Sequence, residues 1–160
     1  MILATLCYIK HDGHTLMVYR NKKPNDIHAG KWNGLGGKVE AGESPEACIR
    51  REAEEEAGLF IHEPHLHGLL VFSNFKGQDW YVFVFTAANF DGELIDESPD
   101  GRLEWIADEA FDSLTLWPSD RIFCRGWKRE SFSRRVSFTR GRACWDTRSL
   151  FTRLSNLQVF

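Results

Sequence analysis

Apolar residues run almost unbroken from Ile2 to Ile9, stop at His11-Asp12-Gly13, and resume from Thr15 to Arg20. Two runs of strand length around an Asp-Gly turn predict a β-hairpin. Residues 21–30 are polar and contain Pro24 and Gly30, which predicts a loop able to reach over a ligand. The pattern then turns helical over 45–57: Ser44 suits the N-cap, Pro45 the first turn, and Gly58 a left-handed exit. Strands are expected over Leu66–Phe72 and, after a turn at Gly77, over Trp80–Ala87, apolar and aromatic enough to be buried. Residues 91–102 are acidic and read as a loop, Leu103–Ile106 as a short strand, and Asp108–Leu114 as a helical turn. A second long helix is expected after Trp117-Pro118, with Asp120 near its start and Ile122, Phe123 and Trp127 along one side. Arg134, Val136 and Phe138 alternate as a final edge strand, and Leu150, Leu154 and Leu157 keep helical spacing. Strands alternating with two long helices predict an α/β or α+β fold, a mixed sheet sandwiched between helices.

Composition narrows this to one soluble domain: 160 residues, 42% hydrophobic and 27% charged. No apolar stretch reaches membrane-spanning length, and the first residues lack a secretory pattern, so a cytoplasmic protein without membrane contact is expected. Cys7, Cys48, Cys124 and Cys144 are too scattered for a zinc site or a disulfide framework. Charge is divided unevenly. Residues 121–160 carry nine arginines and one lysine against Glu130 and Asp146, a net +8, which leaves −11 on the first 120 residues. A basic end can mark a nucleic-acid partner, but here it balances an acidic body, and nucleic acid is not the expected ligand. A monomer is expected, with a dimer as the alternative.

The candidate chemistry lies in GKVEAGESPEACIRREAEEEAGL, residues 37–59. Glu52, Glu55 and Glu56 fall at i, i+3 and i+4, on one face of the predicted helix, while Glu54 points away. Like charges at that spacing cost about a few tenths of a kcal/mol per pair, and the last turn of a helix disfavours anions. A hard divalent cation that takes carboxylate and phosphate oxygens compensates such a cluster.

The full pattern is Gly37, five residues, Glu43, seven residues, then Arg51-Glu52-Ala53-x-Glu55-Glu56-x-Gly58-Leu59. It resembles the complete signature of the Nudix hydrolases. The likeness extends to Lys31-Trp32-Asn33-Gly34-Leu35-Gly36-Gly37-Lys38-Val39, Phe72 and Leu116-Trp117-Pro118-Ser119-Asp120, which are similar to the animal-type MutT-homologue 8-oxo-dGTP diphosphatases. The resemblance covers roughly residues 1–140, and it implies a Nudix domain over 1–142 followed by an extension over 143–160.

That resemblance implies a Mg²⁺-dependent enzyme, with Mn²⁺ as a substitute, that cuts an oxidised purine nucleoside triphosphate such as 8-oxo-dGTP to monophosphate and pyrophosphate. Glu52, Glu55 and Glu56 are the expected ligands, with the Gly36 carbonyl and Asp100 as further oxygens. Arg51 would orient carboxylates through its planar fork and Glu43 would brace the loop against the helix. The general base is left between Glu56 and an acid of the 91–102 loop, Glu97 or Asp100. Asp100 stands where the relatives place a glutamate. Substrate contacts are expected from Lys23, Asn33, Gly37, Lys38, Phe72, Trp117, Ser119 and Asp120, with the aromatics as walls and Asn33 and Asp120 reading a purine edge. Two departures bear on specificity: Ser119 replaces a second acid beside Asp120, and Ile27 replaces an aromatic. The alternatives are a Nudix hydrolase of other specificity, for ordinary or methylated nucleotides, dinucleoside polyphosphates or nucleotide sugars, and a non-catalytic nucleotide- or RNA-binding module.

Overall fold

The structure is a computed structural model that describes residues 1–23, 26–121, 134–139 and 142–144, the last two segments as backbone. Strand β1 (Ile2–His11) turns at Asp12 and Gly13, at φ 46° and 72°, into β2 (His14–Arg20). Two left-handed residues in succession are what a tight hairpin turn needs. The two strands share only the rungs Lys10↔Thr15 and His11↔His14 before they diverge. The ribbon 32–39 fills the gap. Its first part, β3 (Trp32–Asn33), pairs with β2, and the rest bonds to β1 through Cys7 N–H to Leu35 O at 2.7 Å and Thr5 N–H to Gly37 O at 2.8 Å.

Helix α1 (Pro45–Ala57) follows, with the bounds the sequence predicts. Ser44 Oγ accepts the Ala47 N–H at 3.1 Å, and Gly58 ends the helix at φ 72°. Beyond it come β4 (Leu59–His62), β5 (His65–Phe75), β6 (Gln78–Ala87), β7 (Asn89–Gly92), β8 (Glu97–Ser98) and β9 (Gly101–Ala107). A 3-10 helix (Asp108–Ser113) then precedes β10 (Arg134–Thr139) and β11 (Arg142–Cys144). Among the described residues the main sheet runs β11-β10-β5-β6-β1-β2-β9-β8, with β3 on β2, and β4 pairs separately with β7. β1 lies parallel to β6, and β10 to β5, so the sheet is mixed as expected.

Because successive side chains point to opposite faces and both faces are covered, β1 and β2 are buried in continuous runs at Cys7–Ile9 and Thr15–Val18. Cys7, Ile9, Leu16 and Val18 face Ile49, Ala53 and Ala57 of α1, whereas Tyr8 and Met17 face Leu70, Phe111 and Leu116 on the other side. At about 25 cal/mol per Å² of apolar surface, filling both faces of these central strands is the main source of stability.

Several expectations are corrected. The 91–102 segment contains the end of β7 and all of β8, and β4 was not foreseen. β6 is half-buried through most of its length because one face lines a cavity. β10 is not the edge strand, since β11 pairs outside it. α1 is the one long helix among the described residues. The second begins over 118–121, and its predicted apolar side and the terminal helix lie outside the described residues.

Candidate active site

The ribbon carries Gly36 and Gly37 between two sets of functional groups. On the α1 side, Glu56 is 7% exposed and its Oε2 accepts the Gly36 N–H at 2.9 Å. Burial pushes its carboxyl up to about 8; the Gly36 N–H opposes this, and the charges of Asp100 and Glu52 add to it. Glu52 is also raised, by burial first, against the pull of Arg51. A Cβ on Gly37 would stand 2.1 Å from Glu52 Oε1, so only glycine leaves room for that carboxylate.

Arg51 arranges the remaining acids. Its Nε and Nη2 donate to both oxygens of Glu43 at 3.0 and 3.1 Å, and Nη1 donates to Glu52 at 2.9 Å and Glu55 at 3.0 Å. Glu43 is held below its ordinary range by that guanidinium and by the Glu40 N–H. Glu52, Glu55 and Glu56 therefore do not meet at one point: Glu55 turns outward, Glu56 inward, and Glu52 lies between. No group of three or more acidic, histidine or cysteine side chains closes to metal-holding distance among the described residues.

Asp100 is buried beside Arg20 and Lys23, both of which pair with it. Arg20 also binds Asp26 through Nε and Nη2, both at 2.9 Å. Glu97 is exposed and pairs with Lys22 at 2.8 Å. Two carboxylates, one buried and charge-crowded, under a backbone that a Cβ would obstruct, form a donor set of hard oxygens that fits a divalent cation.

On the other side the ribbon floors a cavity of about 670 Å³. Asn33, Gly36, Gly37, Lys38, Phe72, Trp117, Ser119 and Asp120 all border it. Asp120 is 4% exposed, and burial raises its carboxyl to about 7, against the Ser119 hydroxyl that donates to Oδ1 at 3.1 Å. A carboxyl at that value supplies donor and acceptor forms near neutral pH.

The structure thus brings eight of the expected residues to one cavity. Lys23 is not among its walls and stands instead on Asp100. Sequence reasoning missed Trp80, whose ring lies 5.5 Å from Lys38 Nζ, and Phe75, 6.0 Å from Trp80. Their signal was available, since Phe72 and Trp80 are cross-strand partners near the turn of the β5–β6 hairpin. It also missed His28, in an irregular loop where periodicity carries no information.

The NUDIX domain profile matches residues 2–125. The chain is 36% identical over 123 residues to an oxidized purine nucleoside triphosphate hydrolase of Danio rerio, covering 76% of each chain. It is 31% identical over 121 residues to the Nudix hydrolase YvcI of Bacillus subtilis, covering 73% of each. Its fold superposes on the crystal structure of the MutT protein from Bacillus halodurans with a TM-score of 0.76 and 26% identity, over 87% of this chain and 90% of that one. The profile spans well over half of the sequence and these relatives agree with it along most of their length; the chain belongs to the Nudix hydrolase family.

Proposed function

We propose that the protein is a Mg²⁺-dependent pyrophosphohydrolase of oxidised purine nucleoside triphosphates such as 8-oxo-dGTP, releasing the monophosphate and pyrophosphate. The observation that carries this reading is the shared ribbon: Gly36 and Gly37 border the aromatic cavity on one side and touch Glu56 and Glu52 on the other. The similarity to the oxidized purine nucleoside triphosphate hydrolase of Danio rerio supports it.

Phe72, Trp80 and Trp117 offer flat apolar faces for a purine, and Asn33 and Asp120 offer polar groups for its edge. Lys38 brings positive charge to the cavity beside the ribbon, where the first phosphates would emerge. Glu52 and Glu56 would hold the cation, with Glu55 released from Arg51 as a third ligand. When bound, Mg²⁺ neutralises phosphate charge and makes an attacking water available near neutral pH. Glu56 then works as the ionised form of a carboxyl that holds its proton in the free protein. Arg51 keeps Glu52 oriented and Glu43 keeps Arg51 in place, so neither needs to touch the nucleotide.

One observation favours a second reading. The single acid Asp120 is paired with a serine, so the edge it recognises can differ from that read by two acids, and the substrate can be another purine nucleotide. A panel of nucleotides with Mg²⁺ separates the two. The first reading expects kcat/KM for 8-oxo-dGTP to exceed that for dGTP by about tenfold or more, as for one well-placed hydrogen bond. Equal values would overturn it.

A further inference from the structure

We propose that His28 is a positioning residue of the base cavity: its Nδ1 accepts the Trp117 indole N–H and holds that ring as a wall, and a proton taken up at Nδ1 lets the ring go. The inference rests on the proposed function only for the identity of the ligand.

The bond is 2.8 Å long, from Trp117 Nε1 to His28 Nδ1, and the rings meet edge to face with centroids 5.6 Å apart. Indole N–H only donates, so Nδ1 must be unprotonated and the neutral imidazole carries its proton on Nε2. An imidazolium would set two N–H groups against each other, and the contact would be lost.

The loop is built to keep His28 still. Its backbone N–H donates to Asp26 Oδ1 at 3.0 Å, its carbonyl accepts from the Lys31 N–H at 3.0 Å, and Ala29 N–H closes on the Asp26 carbonyl at 2.9 Å. Gly30 N–H ties the loop to the Arg20 carbonyl at 2.9 Å. Trp117 is therefore the partner that adapts. Lys31 adds a second hold on the indole, with Nζ 4.6 Å from the ring while it donates to the Ile27 carbonyl at 3.3 Å. Both rings border the cavity, so displacing Trp117 changes the shape offered to a base.

The charged surroundings favour the neutral ring. Burial lowers the affinity of His28 for a proton; Asp26 opposes this, and Arg20 on β2, Lys31 at the end of the loop and Lys76 at the β5–β6 turn reinforce it. The wall is thus in place above the lowered pKa of His28 and is released as pH falls through it.

The test uses the full chain. The Trp117 indole N–H resonance, assigned by Trp117→Phe, is followed with pH and without nucleotide, and kcat and KM are measured with 8-oxo-dGTP and Mg²⁺. In the wild type the resonance shifts toward that of a free indole in one acidic step, centred below the ordinary histidine value of about 6.5. His28→Asn places an acceptor oxygen where Nδ1 stood and cannot titrate there; it keeps the resonance, abolishes the step and leaves KM within about twofold. His28→Ala loses the resonance position and raises KM about fivefold to tenfold at little change in kcat. Asp120→Asn retains the step, which separates it from titration of the neighbouring carboxyl. An unchanged resonance in His28→Ala, a step that survives in His28→Asn, or a KM in His28→Asn as poor as in His28→Ala overturns the proposal. Absence of turnover with 8-oxo-dGTP in the wild type would defeat the proposed substrate instead, while the resonance still decides the role of His28.

Discussion

Glu56 is pulled two ways: burial and neighbouring acids hold its proton on, while a cation bound as proposed would need it off. Glutamine reproduces the protonated form and retains an oxygen for the Gly36 N–H. Glu56→Gln is therefore expected to change stability by less than about 1 kcal/mol in acid, where both side chains are neutral and the buried hydrogen bond survives, and to make the metal-free protein more stable than the wild type as pH rises toward about 8. Its kcat/KM is expected to fall by about a thousandfold, because the carboxylate can no longer form. Thermal melts beside turnover assays check both halves, and unchanged turnover would remove Glu56 from the site. Spacing alone put the glutamates and Arg51 on one stretch of helix, but not the direction each carboxylate takes, since Glu55 turns outward to Arg51 and Glu56 inward to the Gly36 N–H. Residue chemistry was not legible for Lys23, whose position depends on how a loop lies against Asp100, nor for His28, whose role depends on a partner 89 positions away.

Two adjacent glycines of the ribbon make a contrasting pair at the scale of the element. A Cβ on Gly36, at φ 147°, would lie 2.3 Å from the Thr5 carbonyl oxygen, which belongs to β1 and cannot yield. Gly36→Ala is expected to destabilise the protein by about 2–3 kcal/mol through backbone strain and overpacking. The nearest atoms to a Cβ on Gly37 are those of the Glu52 carboxylate, the far end of a side chain, so Gly37→Ala is expected to keep the fold but lose about a hundredfold in activity through displacement of that carboxylate. Denaturant unfolding and kinetics of the two variants check this; equal loss of stability would deny that the two contacts differ in kind. Elements with strong local signals were readable: α1 from its caps and the first hairpin from Asp12-Gly13. β4 and β7 were not, because each is four residues long and, among the described residues, each pairs with the other across the 26 residues between them. Such short pairs leave little periodicity to detect.

For the whole molecule, the two raised carboxyls set a pH dependence of stability. Glu56 and Asp120 hold protons in the folded protein at pH values where the unfolded chain has released them. Their contribution is fully present below the unfolded values and is lost as pH rises through about 7 for Asp120 and about 8 for Glu56. The metal-free protein is expected to melt at progressively lower temperature from mildly acidic to mildly alkaline pH, and the double variant Glu56→Gln, Asp120→Asn to flatten that slope. Calorimetry across the range checks the sign. The mixed sheet and its family were foreseen from the sequence, whereas the divergence of β1 from β2 was not, since it is made by a later segment entering between them. That inserted segment is a single backbone thick. For a nucleotide seated as proposed, the interval between base and reacting phosphate is gauged by peptide hydrogen bonds, which side-chain replacement does not lengthen. Changes of substrate are then open to Phe72, Trp80 and Trp117 around the base, while the site of cleavage along the phosphate chain stays fixed.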